Sequence, residues 1–157
     1  MNKVWLQKAA YTRILEETIR KMPCETGGIL MGYWGNTGEA VVTAIIGPGP
    51  KAVHKRTSFV PDYEYDKKAI SRHYEQSGFT ETYLGDWHTH PYAAAYLSEQ
   101  DKKTLKKIAD FEPARLVKPL MMILGTQPFN LGAWAHTYTK RRCMRKPSIV
   151  PCSIELY

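Results

Sequence analysis

Two apolar segments around a short Gly/Asn turn give the clearest indication of a β-sheet in this chain of 157 residues. They cover residues 26–34 and 39–46, and the turn between them is Gly35-Asn36-Thr37-Gly38. Apolar runs on both sides of such a turn are typical of a β-hairpin. Further short apolar runs, which predict strands, occupy residues 57–60, 83–88, 119–125 and 129–138.

Helical patterns separate these predicted strands. The first helix is predicted over residues 6–22 and ends before Pro23. Its apolar side carries Leu6, Ala10, Ile14 and Ile19. A second helix is predicted over residues 62–77, and a third runs from Ser98 to about Asp110. Helices that alternate with strands in this order predict an α/β fold, in which helices flank a mixed sheet.

The composition is that of an ordinary globular protein. Apolar residues make up 43% of the chain, and no apolar run approaches the ~20 residues that a bilayer span requires. No repeat or linker divides the sequence, so we expect one domain over residues 1–157. The N-terminal segment has no apolar signal-peptide core, and the three cysteines, Cys24, Cys143 and Cys152, form no CxxC pair. We therefore expect a cytoplasmic protein with reduced thiols.

The formal net charge is +7, from 22 basic and 15 acidic residues, which favours an acidic partner. A solvated surface without a partner explains the same balance, because most basic residues are dispersed along the sequence. Two denser groups are Lys102-Lys103 with Lys106-Lys107, and Lys140-Arg141-Arg142 with Arg145-Lys146. The first lies on the third predicted helix, where it could hold an acidic substrate. No nucleic-acid motif accompanies either group, so nucleic acid is not the expected partner.

The segment GDWHTHPYAAAYLSEQD, residues 85–101, concentrates candidate metal ligands. His88 and His90 are two residues apart on a predicted strand, so both imidazoles point to one face of it. Thr89 then faces the other way, and Pro91 marks the exit from the strand into a loop. The pattern predicts two convergent histidines at the end of a strand.

Ser98 begins the third predicted helix, and Asp101 lies in its first turn, where its carboxylate can meet the two imidazoles. Two neutral nitrogens and one carboxylate suit Zn²⁺, and three protein ligands leave a fourth position open for water, as in catalytic zinc sites. The S-x-x-D spacing is also close to that of a capping box, in which both residues only stabilise the helix start. The two roles are compatible, since a helix start can hold an aspartate rigidly.

The combined pattern resembles the JAMM motif of MPN-domain metalloproteases of the JAB/Mov34 type, H-[ST]-H-x7-S-x-x-D. Its fixed positions are filled by His88, Thr89, His90, Ser98 and Asp101. The family also requires a glutamate at the start of an upstream strand that contains glycine, and the segment ETGGILMG from Glu25 matches it. The order of elements agrees from about Glu25 to Tyr138. The resemblance implies an MPN/JAB, cytidine-deaminase-like domain of three layers.

The resemblance also implies a role for each matched residue. His88, His90 and Asp101 would hold Zn²⁺, which lowers the pKa of bound water toward ~7. Glu25 would act as the general base for that water and pass the proton to the departing lysine amine. Ser98 would donate a hydrogen bond to the oxyanion of the tetrahedral intermediate. Members of the family cleave isopeptide or peptide bonds after the C-terminal tail of ubiquitin or ubiquitin-like proteins.

Several residues near the motif have open assignments. Gly27 and Gly28 either give flexibility at the strand entry or allow close approach of another backbone. Asp86 either supports a ligand of the metal site or has a surface or turn role. The remaining histidines lack ligand spacing and are not expected to bind the metal: His54, His73 and His136.

The compact chain resembles the prokaryotic branch of the family, which includes proteins of mobile elements and anti-phage operons encoded beside E1-like and E2-like enzymes. No large insertion separates Thr26 from His88, so segments that select chain linkage in eukaryotic deubiquitinases are short or missing. This implies a zinc isopeptidase that acts on a ubiquitin-like protein, or on an E1/E2-like conjugating enzyme and its conjugates, in bacterial defence. The alternatives are a peptidase that trims a sulfur-carrier protein to its Gly-Gly form and a non-catalytic MPN scaffold, although scaffolds usually lack ligands.

Overall fold

A computed structural model of the chain describes residues 2–114, 116, 118–141 and 144–157. These residues contain three α-helices, which are α1 (Lys8–Lys21), α2 (Tyr63–Gln76) and α3 (Glu99–Asp110). The strands are β1 (Asn2–Leu6), β2 (Gly27–Trp34), β3 (Ala40–Ile46), β4 (Val53–Lys55), β5 (Ser58–Val60), β6 (Thr82–His90), β7 (Leu120–Thr126), β8 (Phe129–Arg141) and β9 (Met144–Leu156). Two residues named above, Arg142 of the second basic group and Cys143, lie outside the described residues.

Seven strands form one mixed sheet in the order β1-β3-β2-β6-β7-β8-β9. The pairs β1–β3, β1–β9 and β6–β7 are parallel, and the other pairs of this sheet are antiparallel. Because β1 pairs with both β3 and β9, the sheet closes on itself. β4 and β5 form a separate small hairpin. The predicted mixed sheet with helices is confirmed, and the first predicted hairpin is β2–β3.

The core lies on both faces of the central strands. One cluster joins α1 to one face of the sheet and includes Ile14, Leu30, Trp87 and Met122, each at most 1% exposed. A smaller cluster on the other face joins Leu105 of α3 to Met121 and Ile123 of β7. Successive residues of β7 thus enter opposite clusters, as the alternation of side chains along a strand requires. This packing fixes α3 beside the end of β6.

The apolar side of α1 differs from the prediction. Ala10 and Ile14 are buried as expected, but Ile19 is 65% exposed and Glu17 is 7% exposed. Glu17 tolerates burial because it accepts a hydrogen bond from Thr26 Oγ1 at 3.2 Å and pairs with Arg20 at 3.3 Å. The polar partners of the neighbouring chain, rather than the periodicity alone, therefore decide which face of α1 packs inward.

Three strands were not predicted. Residues 2–6 form β1, so the first helix begins at Lys8 rather than at residue 6. β4 precedes β5 and pairs with it, and β9 pairs with both β8 and β1. The parallel pairing of β1 with β9 joins the two ends of the chain, and a local pattern does not reveal such a pairing.

Candidate metal centre

The end of β6 presents the two histidines of the motif. β6 lies between β2 and β7 and pairs with both. His88 and His90 lie on one side of the strand, with their Nε2 atoms 3.2 Å apart. Thr89 points the other way and is fully buried. The three side chains therefore alternate along the strand as predicted.

The start of α3 brings Asp101 to the histidines. Its Oδ1 atom lies 3.0 Å from His88 Nε2, and its Oδ2 atom lies 3.4 Å from His90 Nε2. These three side chains form a group that could hold a metal ion, with ligand atoms all within 4.8 Å of one another. Bond lengths of 2.0–2.2 Å to a tetrahedral Zn²⁺ place neighbouring ligand atoms about 3.4 Å apart. The separations of the donor atoms thus fit a zinc ion.

Ser98 and Asp101 also form the capping box that the sequence allowed. The Asp101 N–H donates to Ser98 Oγ at 3.1 Å, and the Ser98 N–H donates to Asp101 Oδ2 at 2.9 Å. The Ser98 hydroxyl donates to the same carboxylate oxygen at 2.6 Å. The capping box is compatible with a metal site, because its hydrogen bonds fix the carboxylate that faces the histidines.

The protonation preferences of the group suit a cation. Burial alone would raise the pKa of Asp101, but hydrogen bonds with His88, His90 and Ser98 hold it well below its usual range. An ionised carboxylate beside two imidazoles is a donor set typical of zinc. His90 Nδ1 is buried and has no hydrogen-bond partner among the described residues. Tyr96 packs on the His90 ring, with centroids 4.9 Å apart.

Glu25 lies in the connection between α1 and β2 and is held through its backbone. Its N–H donates to Lys55 O at 2.7 Å, and its carbonyl oxygen lies 2.9 Å from His54 Nδ1. Burial raises the pKa of the Glu25 carboxyl, the charges of His88 and His90 oppose this rise, and Asp101 reinforces it. The carboxyl is thus electrostatically coupled to all three members of the candidate metal-binding group. A raised pKa is the property expected of a general base.

Two supporting residues were missed by the sequence analysis. Thr89 Oγ1 accepts a hydrogen bond from the Thr26 N–H at 3.0 Å, which ties the segment of Glu25 to the strand of the histidines. His54, which was not expected to bind the metal, lies with its Nδ1 atom 2.9 Å from the Glu25 carbonyl oxygen. Thr89 carried a signal, because it is a fixed position of the motif. His54 carried none, since its contact depends on the hairpin β4–β5.

The structure shows the surroundings of Gly27, Gly28 and Asp86. A Cβ on Gly28 would lie 1.9 Å from Ile46 O, and one on Gly27 would lie 2.5 Å from Trp87 O. Both glycines therefore allow close backbone approach. Asp86 lies within β6 rather than in a turn, is half-buried, and accepts a hydrogen bond from the Tyr83 hydroxyl at 2.7 Å.

The charged surface beside the site is partly neutralised. In the first basic group, Lys102 pairs with Glu99 at 2.6 Å and Lys106 pairs with Asp110 at 3.7 Å. These two lysines are thus balanced within α3. Among the residues that the structure describes, no helix has the length and apolar character needed to cross a membrane.

Comparison with known proteins gives one family. Residues 7–137 match the family model described as prokaryotic homologs of the JAB domain. A protein of Sinorhizobium fredii named "Probable metalloprotease y4qB" is 38% identical over 141 residues, which cover 88% of this chain and 86% of that protein. A "CD-NTase/cGAS isopeptidase" of Vibrio cholerae is 26% identical over 122 residues, covering 77% and 75%. The solution structure of protein DSY2949 from Desulfitobacterium hafniense has a TM-score of 0.67 at 18% identity and covers 98% of this chain and 92% of that one.

Proposed function

The chain belongs to the family of prokaryotic homologs of the JAB domain, and we propose that it is a zinc-dependent isopeptidase that cleaves after the C-terminal tail of a ubiquitin-like modifier. As a member of this family it is a JAMM-type hydrolase. The observation that carries the proposal is the convergence of His88, His90 and Asp101 with donor separations of 3.0 to 3.4 Å, beside the coupled carboxyl of Glu25. We assign the three convergent residues as ligands, and the whole chain as one catalytic domain.

A bound Zn²⁺ supplies Lewis acidity, which lowers the pKa of water toward ~7 and polarises the scissile carbonyl. Glu25 takes the proton of the attacking water and delivers it to the departing amine. Its carboxyl has a raised pKa, which brings the proton affinity of the base closer to neutral pH and favours transfer in both directions. His54 and Lys55 hold the backbone of Glu25 from the hairpin side.

Ser98 is proposed to stabilise the oxyanion that forms during the attack. Its hydroxyl has one proton, which goes to Asp101 Oδ2 in this structure. Donation to the oxyanion requires the hydroxyl to turn away from that oxygen. The Ser98 oxygen can keep accepting from the Asp101 N–H meanwhile, because its lone pairs are independent of its proton. The helix cap and the catalytic hydrogen bond therefore do not compete.

The substrate class is proposed from the relatives and from the lack of large insertions. Proteins named CD-NTase/cGAS isopeptidase from three bacteria match 69–78% of this chain. Their name supports a conjugate of a nucleotidyltransferase-like enzyme, or of another enzyme of a bacterial conjugation system, as the cleaved molecule. We propose a cytoplasmic role in anti-phage defence on the same basis. The sulfur-carrier alternative differs in its substrate and is separated from this one by assay.

The test uses the zinc-loaded protein and two substrates. One is ubiquitin joined through its C-terminal glycine to the ε-amine of a fluorescent lysine peptide, and the other is a bacterial sulfur-carrier protein extended beyond its Gly-Gly end. We expect one zinc ion per chain and cleavage of the isopeptide bond. Glu25→Gln should keep the zinc and lose turnover by about 100-fold or more, because it removes the base alone.

Glu16→Gln is the matched control, since Glu16 is an exposed acid of α1. This variant should cleave at the wild-type rate. A wild-type protein that binds no zinc, or a Glu25→Gln variant with full activity, would contradict the proposed mechanism. Cleavage of the sulfur-carrier extension alone would favour the processing function instead.

A further inference from the structure

A turn that follows the second histidine contains an unusual residue. The Ala93 N–H donates to His90 O at 3.4 Å, which closes a four-residue turn with Pro91 in its second position. Tyr92, in the third position, has a φ of +57°. Proline followed by a positive φ is the pattern of a type II turn, whose third position strongly favours glycine. A tyrosine there is strained, because its Cβ crowds the backbone in the left-handed region.

The strain at Tyr92 is not offset by burial of its side chain. The ring is 64% exposed. The backbone is held by the β7–β8 turn, since the Tyr92 N–H donates to Thr126 Oγ1 at 2.7 Å. Ala93 O accepts from the N–H groups of Thr126 and Gln127 at 2.9 and 3.1 Å. The fold therefore holds the backbone of this exposed aromatic residue at a fixed place, two residues after His90.

We propose that Tyr92 is a specificity-determining residue, whose ring contacts the polypeptide substrate next to the scissile bond. This rests on the proposed function. β6 carries the two histidines of the candidate metal-binding group. It has β2, which follows Glu25, on one side and β7 on the other. A polypeptide that crosses the group from the Glu25 side reaches the turn that holds Tyr92. Contact with an extended segment buries the exposed ring, and this occurs only in the complex.

The chain offers a matched control in Phe79. This aromatic residue also has a positive φ, +63°, and is also 64% exposed. It follows α2 and precedes β6, whereas Tyr92 follows β6. The nine residues of β6 extend over about 27 Å, so the two aromatic residues lie at opposite ends of the strand. Substitution by glycine relieves the same backbone strain at both positions and removes an exposed ring from both.

The experiment compares Tyr92→Gly, Phe79→Gly and Tyr92→Phe in the zinc-loaded protein. Melting temperature, zinc content, kcat and KM are measured with whichever of the two substrates named above the wild type cleaves. Both glycine variants should melt at the wild-type temperature or higher and hold one zinc. Tyr92→Gly should lower kcat/KM by about tenfold, mainly through KM, because the contact contributes to binding. Phe79→Gly and Tyr92→Phe should keep the wild-type values.

The outcomes separate this inference from the function on which it rests. An unchanged kcat/KM in Tyr92→Gly, with an active wild type, overturns only the role of Tyr92. A lower melting temperature or zinc content in Tyr92→Gly also overturns it, since the residue would then support the turn. A wild type that holds zinc but cleaves neither substrate overturns the proposed function and this role with it.

Discussion

Replacement of Asp66 by asparagine is expected to stabilise the protein at neutral and higher pH. Asp66 lies in α2 and is 7% exposed, and its Oδ1 atom has no hydrogen-bond partner among the described residues. Burial, followed by the charges of Asp86 and Asp62, raises its pKa from 3.8 to about 6. The folded protein therefore binds a proton at this site more tightly than the unfolded chain does.

The sign of the effect follows from this difference in proton binding. Stability from the Asp66 carboxyl is fully present below its unfolded pKa of 3.8 and is lost as the pH rises through about 6. The loss above that range corresponds to about 3 kcal/mol in the free energy of unfolding. Asparagine does not ionise and so avoids this loss. Its buried amide, if left without a hydrogen bond, lowers the free energy of unfolding by about 1 kcal/mol. We expect a net gain of about 2 kcal/mol near pH 8 and none near pH 4.

The measurement is urea unfolding of wild type and Asp66→Asn at both pH values, followed by tryptophan fluorescence with chelator present. Glu64→Gln is the control, because Glu64 is an exposed acid one turn or less from Asp66 in the same helix. It should lower stability by at most about 0.5 kcal/mol through the helix dipole. A gain for Asp66→Asn that is equal at both pH values, or absent near pH 8, would refute the assignment of a buried acid with a raised pKa.

Three further substitutions, with one control, test the site and its support. Asp101→Ala should weaken zinc binding by more than about 100-fold, because loss of a residue that only supports a ligand already lowers metal affinity 10–100-fold. Competition with a chromophoric chelator measures the affinity. Wild-type affinity in this variant would exclude Asp101 as a ligand. Thr89→Val should lower the free energy of unfolding by about 1–3 kcal/mol, since it leaves the buried N–H of Thr26 unpaired; an unchanged urea midpoint would contradict this. Gly28→Ala should lower the free energy of unfolding by about 3 kcal/mol or more, because the added Cβ would lie 1.9 Å from a carbonyl oxygen. Gly47→Ala is the control and should be nearly neutral, because its Cβ would have no atom within 4 Å.

Local signals in the sequence were reliable where the interaction itself is local. Ser98 and Asp101 are three residues apart, and they form the capping box that their spacing allowed. His88 and His90 are two apart, and they share a face because a strand alternates its side chains. Pro23 lies just beyond the end of α1, where the predicted helix stops. These features depend on backbone geometry over a few residues, which the sequence specifies directly.

The sequence-based prediction was wrong where contacts with another part of the chain decide which residues are buried or form a strand. Ile19 lies on the predicted apolar side of α1 but is exposed, while Glu17 is buried against Thr26. β1 was missed because it is held by β3 and β9, which both lie far away in the sequence. In these cases the local pattern fits more than one arrangement, and the long-range pairing selects among them.

The sequence by itself determined the types of the candidate metal ligands, their order and the spacing that turns two imidazoles to one side. The sequence connected Glu25 with His88, His90 and Asp101 only through resemblance to a family, because no local rule relates residues so far apart. The tertiary structure decided that connection. β2 pairs with β6 so that Gly27 lies opposite His88, and Thr26 bonds to Thr89 across 63 positions of sequence. Strand register is set by packing of the whole sheet, and that packing brings a glutamate, two histidines and an aspartate to one place.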